Sequence, residues 1–359
     1  MKKNVFLWVA VFAVGAMSSC SVDKVVDQAE TNYIGFDPFA NKVTRATTTA
    51  QGLGHKNFSV FGRYDNGSSS FVTVFNNKEV KWSNEDNLND ADGSWTYNPL
   101  VPWVSGKNYQ FAAIAPYKAS GYSYNYGTDI NTGGTYTLGS ITVDATDANQ
   151  IDYMTATPIN GRSSGTSSVS FDFNHILSKI DFKFQPQNTG EKAWPSDVKI
   201  DIKSITLSSV ATTKSYTNGT WGDATAADGS FSVTLADDNS TTYEPSSTET
   251  DKVSELTGKF SWLVVPQSEA DASGRKLAIT FDVFTKDAAG DYNVQVLTGE
   301  SATIDIDTNW AANTVYTYTV YIGSDVLGQD AYITFDVASA NWGNTSSNNG
   351  LNVPTSPAP

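Results

Sequence analysis

Residues Gly161-Arg162-Ser163-Ser164-Gly165 carry the G-x-S-x-G pattern of a nucleophile elbow, with Ser163 at its centre. In that device a strand-to-helix turn lifts the serine above a parallel sheet, and a histidine takes its proton. Here the surroundings are a Ser/Gly loop and no helical pattern follows, so the stretch reads as a linker. The chain has only two histidines, His55 and His175, too few for a zinc site unless carboxylates supply the other ligands. His175, in "FNHILSK", reads as a packed strand-corner residue. The run "NEDNLNDADGSW" is acidic enough to suggest calcium. An EF-hand loop with its glycine at Gly93 would begin at Leu88, however, which carries no carboxylate, so a solvated turn is expected. Trp82, Trp95, Trp103, Trp221, Trp262, Trp310 and Trp342 could include a sugar-stacking platform, although tryptophans in or beside alternating runs serve packing more often. No Walker or G-x-G-x-x-G sequence is present. No enzyme, metal or cofactor is expected.

Two residues raise chemistry done on the chain itself. Lys2 and Lys3 precede an apolar run from Val5 to Met17, shorter than the roughly 20 residues of a spanning helix. It reads as a signal peptide over residues 1–19. The run ends in "AMSSC", and Cys20 is the only cysteine, so no internal disulfide can form. Small residues before a cysteine suit a lipoprotein signal, cut before Cys20, whose thiol then carries diacylglycerol. That lipid would be the membrane anchor and would hold the protein outside a bacterial cytoplasm. The second residue is Arg45, flanked by small polar residues in "NKVTRATTTA". It is either part of a linker or a place to be cut.

The elements around these residues read as strands. Of 359 residues, 39% are hydrophobic and only 17% charged, with 17 Tyr, 18 Phe and 9 Trp, a composition suited to pleated surfaces. "YIGFDPF" alternates Ile34 and Phe36 until Pro38 stops it. Beyond Arg45, "FSVFGRY", "FVTVF" and "NYQFAAIAPY" alternate with Asn, Asp, Gly and Ser turns. The second half repeats the style through "VSFDFNHILSKIDFKFQ" to "TVYTYTVYIG" and "AYITFDV". "NHILSK" could make one helical turn at a strand corner. The length suits two domains, divided near residue 165, giving sandwiches over 46–165 and 166–342 and a loose tail over 343–359. The net charge of -15 with no basic stripe argues against a nucleic-acid partner.

Taken in order, the lipoprotein cysteine, Ile34-Gly35-Phe36, Thr44-Arg45-Ala46, the block Phe171 to Phe182, and Trp310 with Tyr316, Tyr318 and Val320 resemble the fimbrillins of the Bacteroidetes, subunits of type V pili. The resemblance covers nearly the whole chain, including "IDYMTAT" before the central block. It implies an all-β fold of two tandem transthyretin-like antiparallel β-sandwiches. It also implies a precursor lipidated at Cys20 in the outer membrane, cleaved between Arg45 and Ala46 by an arginine-specific protease. Residues 20–45 would then be a propeptide whose removable strand carries Ile34 and Phe36, and the lost strand would be replaced by one from another subunit in a surface fimbrium. The C-terminal "YITFDV", with Ile333, Phe335 and Val337, matches "YIGFDP" and is a candidate donor; it could equally belong permanently to the second sandwich. Expected partners are other pilus subunits, the protease, and a host or bacterial receptor or glycan. The other reading is a tethered surface lipoprotein that binds glycans without polymerising.

Overall fold

The computed structural model describes residues 32–40, 53, 57–87, 90, 92–165, 167–187, 198–226, 229–235, 241–243, 261–307, 309–323 and 332–342. Among these residues the chain is built from strands, with one 3-10 turn at Asp147–Asn149.

The strands form where apolar residues alternate with polar ones. In Val169–His175 the odd-numbered residues are buried and the even-numbered ones face outward, the period of a pleated strand with one wet face. This strand belongs to an eight-stranded sheet. Across it the order is Phe36–Ala40, Val169–His175, Met154–Ala156, Asn108–Ala115, Asn57–Gly67, Ser70–Trp82 and Trp95–Thr96, with Ile159–Ser163 also paired to Asn108–Ala115. One face covers a phenylalanine-rich core that includes Phe36, Phe58, Phe75, Phe111, Phe171 and Phe173. The other face contributes Phe61, Ala112 and Ile114 to a second core shared with the rest of the chain.

Two further sheets enclose that second core. One has the order Ser261–Val264, Ser178–Pro186, Thr314–Gly323, Tyr332–Asn341; the other has Gly229–Thr234, Val198–Val210, Lys276–Thr285, Val294–Asp305, with Thr241–Tyr243 beside Val198–Val210. Trp262 of the first sheet and Phe231 of the second meet with ring centroids 5.8 Å apart, as side chains of facing sheets do.

Three expectations need correction. Pro38 does not stop the first strand, which runs Phe36–Ala40. At a sheet edge proline loses no needed ladder bond on its outer side. The strand Val169–His175 lies in the first sheet and Ser178–Pro186 in the second, so the division falls at Ile176-Leu177 rather than near residue 165. No helical turn forms over "NHILSK", because other strands satisfy the corner: Ile176 N–H donates to Tyr153 O at 3.0 Å and Asn313 N–H to Leu177 O at 2.9 Å. The halves also share a sheet, in which Gly139–Thr142 pairs with Thr213–Thr217. Near the acidic loop, Gly93 lies flat on Trp82, where a Cβ would stand 2.1 Å from the indole.

Candidate assembly site

The first strand fills a groove lined by its own domain. Ile34 is 1% exposed and Phe36 3%. The Phe36 ring stacks on Phe171 at 5.7 Å and meets Phe75 at 5.3 Å, Tyr97 at 5.5 Å, Phe111 at 6.2 Å and Phe58 at 6.5 Å. Burying these two side chains stabilises the seated strand by about 1.5–3 kcal/mol each on transfer grounds.

Backbone groups hold the strand on both sides. On one side it runs parallel to Val169–His175, with Phe36 opposite Val169 and Ala40 opposite Phe173, and Val169 N–H donates to Gly35 O at 2.8 Å. On the other side, residues 97–103 close over its beginning. Ile34 N–H donates to Val101 O and Trp103 N–H to Asn32 O, each at 2.9 Å, and the Tyr97 hydroxyl donates to Ile34 O at 2.7 Å. Burial raises the Tyr97 pKa and outweighs the lowering effect of the hydrogen bond from Val101 N–H, so the hydroxyl remains a donor at neutral pH. Taking the strand away would leave Val101 O, Trp103 N–H, Val169 N–H and a floor of phenylalanine rings without partners, a costly state for buried backbone groups.

Tyr97 and Val101 were not among the sequence candidates, and Trp103 was considered only for sugar stacking. "YNPLVPWV" has neither a two-residue nor a 3.6-residue period, and only its proximity to Ile34 reveals its part.

The C-terminal strand Tyr332–Asn341 lies at the edge of the second sheet and pairs antiparallel with Thr314–Gly323 along its whole length. Ile333 is buried, Phe335 and Val337 are half-buried, and the Phe335 ring meets Tyr318 at 5.2 Å. Both apolar strands singled out in the sequence are therefore edge strands, each with one neighbouring strand in its sheet. Cys20, Arg45, Ala46 and His55 lie outside the described residues.

The residues considered for chemistry are otherwise engaged. Ser163 ends the strand Ile159–Ser163, which replaces the expected linker, and its hydroxyl donates to Asn108 Oδ1 at 3.1 Å. His175 is buried, stacked on Trp342 at 4.0 Å, with Nδ1 2.7 Å from Asp152 Oδ2. Asp90 accepts from Asn84 Nδ2 at 2.8 Å, and among the described residues no three metal-ligating side chains cluster. Trp82, Trp262 and Trp310 are fully buried, and Trp95, Trp103, Trp221 and Trp342 are half-buried. Among the described residues no tryptophan is exposed.

Among solved structures the chain is similar to a fimbrial protein from Bacteroides vulgatus, at 19% identity, TM-score 0.59, covering 86% of this chain and 99% of that one. It also matches candidate cell-adhesion proteins from Bacteroides ovatus, at 15% identity, TM-score 0.49, covering 86% and 97%, and Bacteroides uniformis, at 15%, TM-score 0.45, covering 88% and 100%. At these identities the likeness is one of fold. A search of curated protein sequences returns no match. The family model described as fimbrillin-like matches residues 44–342, and the chain belongs to that family.

Proposed function

We propose that this protein is a structural subunit of a type V pilus, exported as a precursor lipidated at Cys20, cut between Arg45 and Ala46, and assembled by β-strand exchange. Cleavage there separates the strand bearing Ile34 and Phe36 from the sheet it completes. The mature subunit regains the lost burial and hydrogen bonds by taking a strand from a neighbour, a case of β-augmentation. The strand Tyr332–Asn341 is the proposed donor. Its Ile333, Phe335 and Val337 repeat the spacing of Ile34 and Phe36, and its edge position leaves one ladder to break. The assembled fibre serves adhesion at the cell surface, while the uncut precursor resides at the outer membrane.

The observation that carries this reading is the seating of Phe36: a ring in contact with five others, on a strand that precedes Arg45 in the chain. The arginines themselves support it. The chain holds Arg45, Arg63, Arg162 and Arg275. Arg63 and Arg275 are buried, and Arg162 sits within a strand with its guanidinium donating to Ser167 O at 2.8 Å and Ser168 O at 3.0 Å. An arginine-specific protease therefore meets three sites locked into the fold.

The test is treatment of purified precursor with such a protease, followed by intact mass, N-terminal sequencing and a denaturant-resistant ladder on a gel. A new terminus at Ala46 with a ladder is expected. A synthetic peptide of residues 31–40 added with the protease should refill the groove and suppress the ladder. Resistance at Arg45, or a cut chain that stays monomeric, would overturn the reading.

A further inference from the structure

Of the exposed large apolar side chains among the described residues, all but Ile151 fall into two groups. Tyr33, Leu100 and Val104 form one, Val294, Val296 and Leu297 the other. The strand registers place both groups far from the junction between the halves. Val169–His175 reaches the junction at His175, so its partner Phe36–Ala40, running parallel, begins at the remote end. Tyr33 precedes it there, bridged to Pro102. In the second half, Ser178 starts at the junction, and Thr212, which follows Val198–Val210, accepts from Val143 N–H. The strand Val198–Val210 therefore approaches the junction with its last residues, and Thr285 and Val294, aligned with Val198, stand at the other remote end.

We propose that the Val294–Leu297 arm of one chain docks on the Leu100–Val104 face of a second copy, so that copies meet head to tail through a contact separate from strand exchange. The proposal rests on the reading of the chain as an assembling subunit. Three observations identify the occupant as another copy. First, the two apolar groups are different surfaces at the junction-remote ends of the two halves, and a heterologous contact between them repeats from copy to copy, as a row requires. Second, Tyr292 to Gly299 carries no charge in a chain of net charge -15. The strand Val294–Asp305 is an outer strand of its sheet, and this part of it lacks the lysines and prolines that keep edges apart. Third, the charges beside the groups are complementary. Asp287 and Asp291 flank the arm, with Lys286 held over the Tyr292 ring at 5.0 Å, whereas Lys107 and Arg162 stand at the outer end of the first sheet, where Ser164 N–H donates to Lys107 O. Tyr33 leaves with the removable segment, so Leu100 and Val104 remain after maturation. Val296 is 49% exposed and Leu100 50%, and substituting either leaves the monomer's cores intact.

The experiment uses the full secreted chain with Cys20→Ser, Leu100→Cys and Val296→Cys, uncut and after cleavage at Arg45. Oxidation under mild conditions, read on a non-reducing gel, should give multimers that reducing agent dissolves, whereas either single cysteine variant should stop at dimers. Val296→Asp should lower the rate of ladder growth roughly tenfold, as loss of a buried apolar anchor does, and adding Leu100→Lys to it should restore growth. A resistant ladder without disulfide-linked multimers would overturn this contact while leaving strand exchange standing. Disulfide-linked multimers without a resistant ladder would uphold the contact and refute strand exchange. Absence of both would refute both.

Discussion

Replacing Phe36 with alanine in the uncut chain removes the ring while keeping the strand. Phe36 is 3% exposed and touches five aromatic rings with centroids 5.3 to 6.5 Å away. The loss combines transfer free energy with a cavity that rings fixed on four different strands cannot collapse to fill, so the cost is about 3–5 kcal/mol. With a urea slope of about 2 kcal/mol/M, the midpoint for the first half should fall by roughly 2 M. Unfolding is followed by fluorescence of Trp82 and Trp95, whose rings meet at 5.3 Å within that half. Phe335→Ala, half-buried and facing Tyr318, serves as comparison and should cost about 1–2 kcal/mol. A Phe36→Ala variant within about 1 kcal/mol of the parent would refute the reasoning. The groove would then close without its occupant, and removing the strand would leave nothing to drive a replacement.

Arg63 donates to Gln110 Oε1 at 2.9 Å, Gly127 O at 2.7 Å and Asp129 O at 3.1 Å, beneath the ring of Phe71 at 3.9 Å; lysine cannot reproduce that fork, so Arg63→Lys should cost about 1–3 kcal/mol in chemical denaturation. For Asp271, burial raises the carboxyl pKa, but hydrogen bonds from Ser268 and Lys214 outweigh it and the net direction is down. The unfolded chain therefore protonates first. Its contribution is complete above the ordinary carboxylate pKa and is lost as pH falls through the lower folded value, so Asp271→Asn should flatten the acid limb of thermal stability against pH. Ser163→Ala removes one exposed hydrogen bond to Asn108 and should change the unfolding midpoint by no more than about 1 kcal/mol equivalent, with assembly unaltered; loss of any hydrolytic activity would revive the nucleophile reading.

Much of the fold was legible because alternation is local. Val169–His175 announces its buried face residue by residue, and "YIGFDPF" reads as a strand with Ile34 and Phe36 inward before any partner is known. What was hidden depends on partners distant in sequence. Pro38 reads as a strand end until the strand is found at a sheet edge. The division near residue 165 followed the Ser/Gly loop, yet Val169–His175 is held in the first sheet by Phe36–Ala40 and Met154–Ala156. The segment 97–103 was invisible as a site component because Val101 and Trp103 act through backbone groups, which every residue possesses, and Tyr97 through a hydroxyl whose partner lies 63 residues away.

The parallel alignment of Phe36–Ala40 with Val169–His175 also bears on mechanical strength. Strand hydrogen bonds lie across the chain direction, so a strand held in this groove and pulled along its own length loads all of them together. Peeling from one end would break them one at a time at far lower force. A replacement strand drawn tight along the same groove would meet tension in that shearing mode, and a cell tethered in flowing liquid would be held by many bonds sharing the load.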